Sequence, residues 1–211
     1  MKPLHITFTG VDAHTDLNRM IDLSEEYPCE WGILFSHKRQ GNDIRYPARH
    51  VIDRILDAPV TFAAHLCGSI AANIMNGDYH IDVPLTAFDR VQVNHVKPLP
   101  DVLEEFSAQW HRTVIGQSRS VSTFPTVRNG VEWLYDPSGG NGLLPEEYPS
   151  NQGKAKVGYA GGINPDNVVE INEKVKNLSP AGYWLDMESG VRTDDKFDLD
   201  KVEAVLKAIY G

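Results

Sequence analysis

Apolar residues along the chain follow two alternating rhythms. Short runs rich in Val, Ile, Phe, Tyr and Trp recur at Leu4 to Thr9, Trp31 to Phe35, Val60 to Cys67, Val91 to Asn94, Thr113 to Gln117, Val131 to Asp136, Lys156 to Ala160 and Tyr183 to Met187, and such residues favour strands. Between several of these runs the apolar positions return at helical spacing. Asp16 to Tyr27 presents Leu17, Met20, Ile21 and Ser24 at that spacing, and Ala48 to Leu56 presents Val51, Ile52, Ile55 and Leu56. Leu199 to Tyr210 presents Val202, Val205, Leu206 and Ile209, with Lys201, Glu203 and Lys207 on the opposite face. Strands alternating with helices predict parallel βαβ units. Eight of them predict an α/β fold, a (β/α)8 barrel with a parallel eight-stranded wall, formed as a single domain over residues 1–211. Ser118 to Gly130 and Pro137 to Gly153 break the rhythm: rich in Ser, Gly, Pro and Asn, they read as loops with stubs of helix.

Composition narrows the picture only a little. The chain has 211 residues, 41% of them apolar, which suffices for one sizeable core. A formal charge of -9 argues against a nucleic-acid partner or an anionic membrane surface. The opening MKPLHITFTG has neither the apolar run of a signal peptide nor an Arg-rich pattern, and no stretch is long enough for a membrane span, so a cytoplasmic protein is expected. Cys29 and Cys67 are the only cysteines and read as free thiols.

Candidate chemistry concentrates near the C-terminus. In KVGYAGGINPDNV, a strand breaks into Gly161 and Gly162, and Asn164 and Pro165 then supply a helix cap and a first helical position. Backbone N–H groups gathered in this way can hold an anion without a lysine. In YWLDMESGVRTDDKFD, Ser189 and Gly190 end the next strand similarly. Paired sites after two successive strands are how (β/α)8 barrels bind phosphorylated ligands. Neither a Walker A nor a GxGxxG pattern is present, and Gly139 to Gly142 read as a flexible loop.

Taken in order, WGILF with the later IRYP, VQVNH, WLYDPSGGNG, AGGINPDNV and LDMESGV resemble phosphoribosylanthranilate isomerase of tryptophan biosynthesis, and the likeness covers nearly the whole chain. The resemblance implies an isomerase that carries out an Amadori rearrangement, an aldose–ketose isomerisation of a phosphorylated aminosugar. It implies no cofactor, a phosphorylated small-molecule substrate, and a monomer or homodimer. An alternative is a catalytically degenerate relative that binds a phosphorylated metabolite without turnover. A Schiff-base aldolase is disfavoured because Lys156 opens its strand instead of closing it.

The reaction needs an acid at the ring oxygen and a base at the sugar C2 proton. The resemblance places the acid on Asp136, which alternatively only opens a turn. The family's base is a cysteine just before the first-strand glycine. Here that position is Thr9, whose hydroxyl does not ionise near neutral pH. Asp12 and Cys67 are the substitutes, set against plainer roles as a turn or helix-start carboxylate and a small buried thiol. The family's eighth-strand pattern has serine where Glu188 stands and an acidic residue where Arg192 stands. Arg192 is expected to pair with Glu188 or reach the phosphate. Gly161, Gly162, Ser189 and Gly190 are the expected backbone donors. Asp186 matches a family aspartate and reads as a ligand contact or a structural partner. Arg45 matches the arginine that meets the anthranilate carboxylate, with Arg39 a competitor in register. His65, Cys67 and His95 fall near strand ends, but no HxH or HExxH pattern fixes a metal, and none is expected.

Overall fold

The computed structural model describes residues 1–121, 124, 127–151, 153 and 155–211. Eight parallel strands close into one barrel in sequence order, each hydrogen-bonded to the next and the eighth to the first. The strands are β1 (Ile6–Thr9), β2 (Cys29–Phe35), β3 (Phe62–Leu66), β4 (Arg90–Val93), β5 (Thr113–Ser118), β6 (Val131–Tyr135), β7 (Val157–Tyr159) and β8 (Tyr183–Met187). Each coincides with one of the eight apolar runs, with ends shifted by a residue or two.

The helices are α1 (Leu17–Glu26), α2 (Arg49–Leu56), α3 (Ser69–Met75), α4 (Pro100–Trp110), α5 (Val168–Val175) and α6 (Leu199–Tyr210). Asp16 starts α1 by accepting from the N–H groups of Asn18 and Arg19, and Asp198 starts α6 by accepting from Asp200 and Lys201. These are side-chain caps of the usual kind. Among the described residues, the connections from β5 to β6 and from β6 to β7 contain no α-helix. Residues 122–123, 125–126, 152 and 154 of those two predicted loops lie outside the described residues.

Alternation along the strands divides the side chains into two sets. The outward set is apolar and buried beneath the helices: Ile6 and Phe8, Trp31 and Ile33, Ala64 and Leu66, Val91 and Val93, Trp133, Tyr159, Tyr183 and Leu185. The inward set is largely polar. Glu30, Arg90, Glu132 and Trp184, all from even-numbered strands, form one interior layer where branched aliphatics are common in this fold. Arg90 meets Glu30 through two bonds, Nε to Oε2 at 2.8 Å and Nη2 to Oε1 at 2.7 Å, and reaches Glu132 at 2.7 Å. Its guanidinium lies 4.4 Å from the Trp184 ring centroid. Burial works to raise the Glu30 carboxyl, but Arg90 outweighs it and holds the group below its ordinary range.

Candidate functional site

Above this layer the barrel opens at the C-terminal ends of its strands into a cavity of about 670 Å³. Active sites of such barrels lie at this face because the βα loops converge there. Thr9, His65, Cys67, Gln117, Asp136, Asp186 and Glu188 line it, together with Arg45 and residues of the β6, β7 and β8 junctions.

Asp136 follows β6 directly, and its N–H bonds the Ser118 carbonyl at 2.9 Å, so the backbone is fixed at the rim. Its carboxyl accepts three hydrogen bonds: from Gln117 Nε2 at 2.8 Å, from the Gly140 N–H at 2.9 Å and from Ser138 Oγ at 2.7 Å. Gln117 is a residue that reading the sequence missed. Its inward parity near the end of β5 was the available signal.

Thr9 occupies the end of β1, and its hydroxyl donates to Asp186 Oδ1 at 2.9 Å while lying 3.4 Å from His65 Nε2. Asp186 is buried, and desolvation is the main cause that pushes its carboxyl up to about 8. The Thr9 hydrogen bond and Arg90 oppose that rise, while Glu30 and Asp136 add to it. Burial also drives His65 down to about 4, with Glu30 and Arg90 acting in opposite directions on it, so its ring stays neutral.

Two expected base candidates are redirected by the structure. Asp12 is fully buried and absent from the cavity wall. Its Oδ2 accepts from Arg192 Nη2 at 2.7 Å and from the Phe197 N–H at 2.8 Å, and its Oδ1 accepts from the His14 N–H at 2.9 Å. Cys67 does line the cavity, but burial raises its thiol above the ordinary value, with the Asn94 amide opposing. A raised thiol is a poor proton acceptor near neutral pH.

Arg192 also departs from expectation. It bonds Asp12, the Gly10 carbonyl at 2.7 Å and the Asp195 carbonyl, and so joins the β1 and β8 loops instead of pairing with Glu188 or facing an anion. Arg45 is the partner of Glu188: its Nη1 lies 3.0 Å from Oε1, and its Nη2 lies 2.7 Å from Asp195 Oδ1. Arg39 instead sits over the Tyr46 ring, 5.3 Å from its centroid.

The β7 and β8 junctions meet. A Cβ added to Gly190 would lie 1.9 Å from the Ile163 carbonyl oxygen, so only glycine permits this contact. Gly161 and Gly162, which line the cavity, hold φ values of 102° and 63°, backbone conformations that favour glycine. Among the described residues no acceptor engages the N–H groups of Gly162, Ser189 or Gly190. The expected helix start at Asn164 and Pro165 is displaced, because α5 begins at Val168. Asn164 instead caps the turn ahead of it, accepting from the Asp166 N–H at 2.9 Å, and its own N–H donates to Asn167 Oδ1 at 2.9 Å.

His65, Cys67 and His95 do not converge: His95 turns to the Lys97 carbonyl at 3.0 Å. Among the described residues no group of three His, Cys, Asp or Glu side chains is placed to hold a metal. No helix among the described residues is long and apolar enough to cross a membrane.

These features define a (β/α)8-barrel protein with carboxyl groups and glycine-rich junctions facing one mouth. Residues 108–208, from the end of α4 through β8 and most of α6, match the family model of N-(5'phosphoribosyl)anthranilate (PRA) isomerase. That stretch is just under half of the chain, and it is similar to the phosphoribosylanthranilate isomerase family. The fold of the chain is similar to that of monomers generated from the dimeric phosphoribosylanthranilate isomerase of Thermotoga maritima, with a TM-score of 0.62 and 17% identity over 99% of both chains. The isomerase from Pyrococcus furiosus matches with a TM-score of 0.59 and 16% identity over 98% of both chains. A phosphoribosyl anthranilate isomerase in complex with reduced 1-(o-carboxyphenylamino)-1-deoxyribulose 5-phosphate matches with a TM-score of 0.62 and 16% identity over 98% of both chains.

Proposed function

We propose that this protein is an aldose–ketose isomerase that carries an N-linked phosphorylated aminoaldose to the aminoketose by Amadori rearrangement. The contact of Gly190 with the Ile163 carbonyl supports this reading best. It joins two glycine-rich junctions into one anion cradle, and amides left unpaired there suit a phosphate. The sugar then extends across the mouth toward Asp136, whose three hydrogen bonds fix its position.

Asp136 serves as the acid that delivers a proton to the ring oxygen as the C1–O bond breaks. Arg45 lies at the rim on the side of Glu188 and is the cation nearest in role to an aglycone carboxylate contact. The substrate is a phosphorylated small molecule, the protein works in the cytoplasm, and it is a monomer or homodimer.

A fluorescence assay of the aminoaldose to aminoketose conversion tests this. Wild type should turn over, and Asp136→Asn should lose on the order of 10²-fold or more. Activity that survives Asp136→Asn overturns the acid assignment. Calorimetric binding of the sugar phosphate with no turnover in wild type would replace the isomerase by a metabolite-binding protein.

A further inference from the structure

The position where the resemblance implies a basic cysteine carries Thr9, yet the proposed isomerisation needs a group to take the C2 proton. Asp12 is turned away into its contact with Arg192, and the Cys67 thiol, raised by burial, accepts from Asn94 Nδ2 at 3.3 Å. His65, the remaining titratable group beside Thr9, is buried and neutral, with little capacity to accept a proton near pH 7.

One carboxyl is left at the correct place. Asp186 lies on β8, the strand that closes the barrel onto β1, and lines the same cavity as Asp136. Thr9 Oγ1 donates to its Oδ1 at 2.9 Å, and among the described residues no donor engages Oδ2. The Thr9 hydroxyl thus orients a carboxyl one strand away.

We infer that Asp186 is a catalytic residue that takes the sugar C2 proton on Oδ2, with Thr9 as the positioning residue that holds Oδ1. This rests on the isomerase reading above. The steps balance. Asp136 gives a proton to the ring oxygen as C1–O breaks and the nitrogen lone pair forms the C1=N bond. Ionised Asp186 then removes the C2 proton, and the C–H electrons form C1=C2 while the C1=N electrons return to nitrogen. The enolamine collapses as Asp186 returns its proton to C1 and Asp136 takes one from the C2 hydroxyl. C2 is oxidised and C1 reduced within one molecule, so no external oxidant is required, and both carboxyl groups finish as they began.

The electrostatic surroundings agree with this role. Glu30 from β2 and Asp136 from β6 disfavour the ionised form of Asp186, and Arg90 from β4 and the Thr9 hydroxyl from β1 favour it. His65 from β3 is neutral, and Glu188, two residues further along, is already paired with Arg45. A desolvated carboxylate is a strong base once formed, so turnover should rise with pH toward about 8.

The test is the pH–rate profile of wild type, Asp186→Asn and Thr9→Val with substrate deuterated at C2. Wild type should show a primary isotope effect and an ascending limb well above the usual carboxylate range. Asp186→Asn should lose on the order of 10² to 10⁴-fold in kcat while keeping its affinity for ribulose 5-phosphate. Thr9→Val, which keeps the shape but removes the hydroxyl, should move the ascending limb to higher pH. A bystander threonine would leave the limb in place, so this readout decides the matter even where Asp186→Asn fails to fold. Turnover by Asp186→Asn within threefold of wild type, or an unmoved limb in Thr9→Val, overturns the inference alone. Absence of turnover in wild type overturns the isomerase reading and this inference together.

Discussion

Arg192 Nη2 lies 2.7 Å from Asp12 Oδ2, with both side chains buried at the seam where β8 returns to β1. The guanidinium also bonds the Gly10 and Asp195 carbonyls, so one side chain fastens the first and last βα loops of the barrel. Both residues are natural candidates for chemistry in the sequence. The structure uses them for closure.

Removing one partner of this pair leaves the other charge buried and uncompensated, which typically costs about 3–5 kcal/mol. Asp12→Ala should therefore lower the midpoint of chemical denaturation strongly, and Arg192→Met combined with Asp12→Leu should recover part of the loss. Denaturant melts of the three variants measure this. A double variant no more stable than Asp12→Ala would mean that the hydrogen bonds to backbone, and not the ion pair, hold the seam.

Glu188 stands where the resemblance implies a serine, and it pairs with Arg45. Glu188→Ser should free one side of the guanidinium, leaving Asp195 as its remaining partner. A carboxylated substrate should then bind several-fold more tightly, by roughly 1 kcal/mol. The KM of both forms for the anthranilate-bearing aminoaldose phosphate is the measurement, and an unchanged KM would place the aglycone elsewhere in the cavity.

At Gly190 any side chain collides with the Ile163 carbonyl. Gly190→Ala should push the β7 and β8 junctions apart at a cost of about 1–3 kcal/mol and weaken binding of ribulose 5-phosphate at least tenfold. Isothermal calorimetry reads the second effect. Retained affinity in a folded variant would show that the phosphate does not use these amides.

Asp186 also makes stability depend on pH. Its folded carboxyl is raised to about 8 by burial, whereas in the unfolded chain it ionises near 4. Between those values the folded state binds more protons, so this group subtracts stability as pH rises from about 4 to about 8. Asp186→Asn does not titrate. It should therefore be more stable than wild type by roughly 1–3 kcal/mol near pH 7.5, with little difference near pH 3.5. Thermal melts at both pH values check the sign. A gain in stability that accompanies a loss of turnover is the usual trade-off at an active site.

The sequence by itself determined the barrel. Alternation of side chains in a strand and their 3.6-residue return in a helix are local properties, so the apolar runs and helical patterns placed all eight strands and the bounds of α6. The glycine-rich junctions after β7 and β8 were legible for the same reason, since glycine marks where the backbone turns or approaches closely. The lack of an α-helix among the described residues of the β5–β6 and β6–β7 connections was foreshadowed by the Ser, Gly, Pro and Asn content of those segments. The start of α5 was misplaced because Asn164 and Pro165 cap a turn, and only the fold around Asn167 shows where the helix begins.

Which polar side chain meets which was decided by the tertiary structure. Thr9 and Asp186 are 177 residues apart and Arg192 and Asp12 are 180 apart, yet each pair touches because the barrel closes β8 onto β1. A carboxylate reads the same in sequence whether it faces a cavity, an arginine or a backbone amide. Its surroundings fix its charge and its use, and those surroundings exist only once the ring of strands is complete.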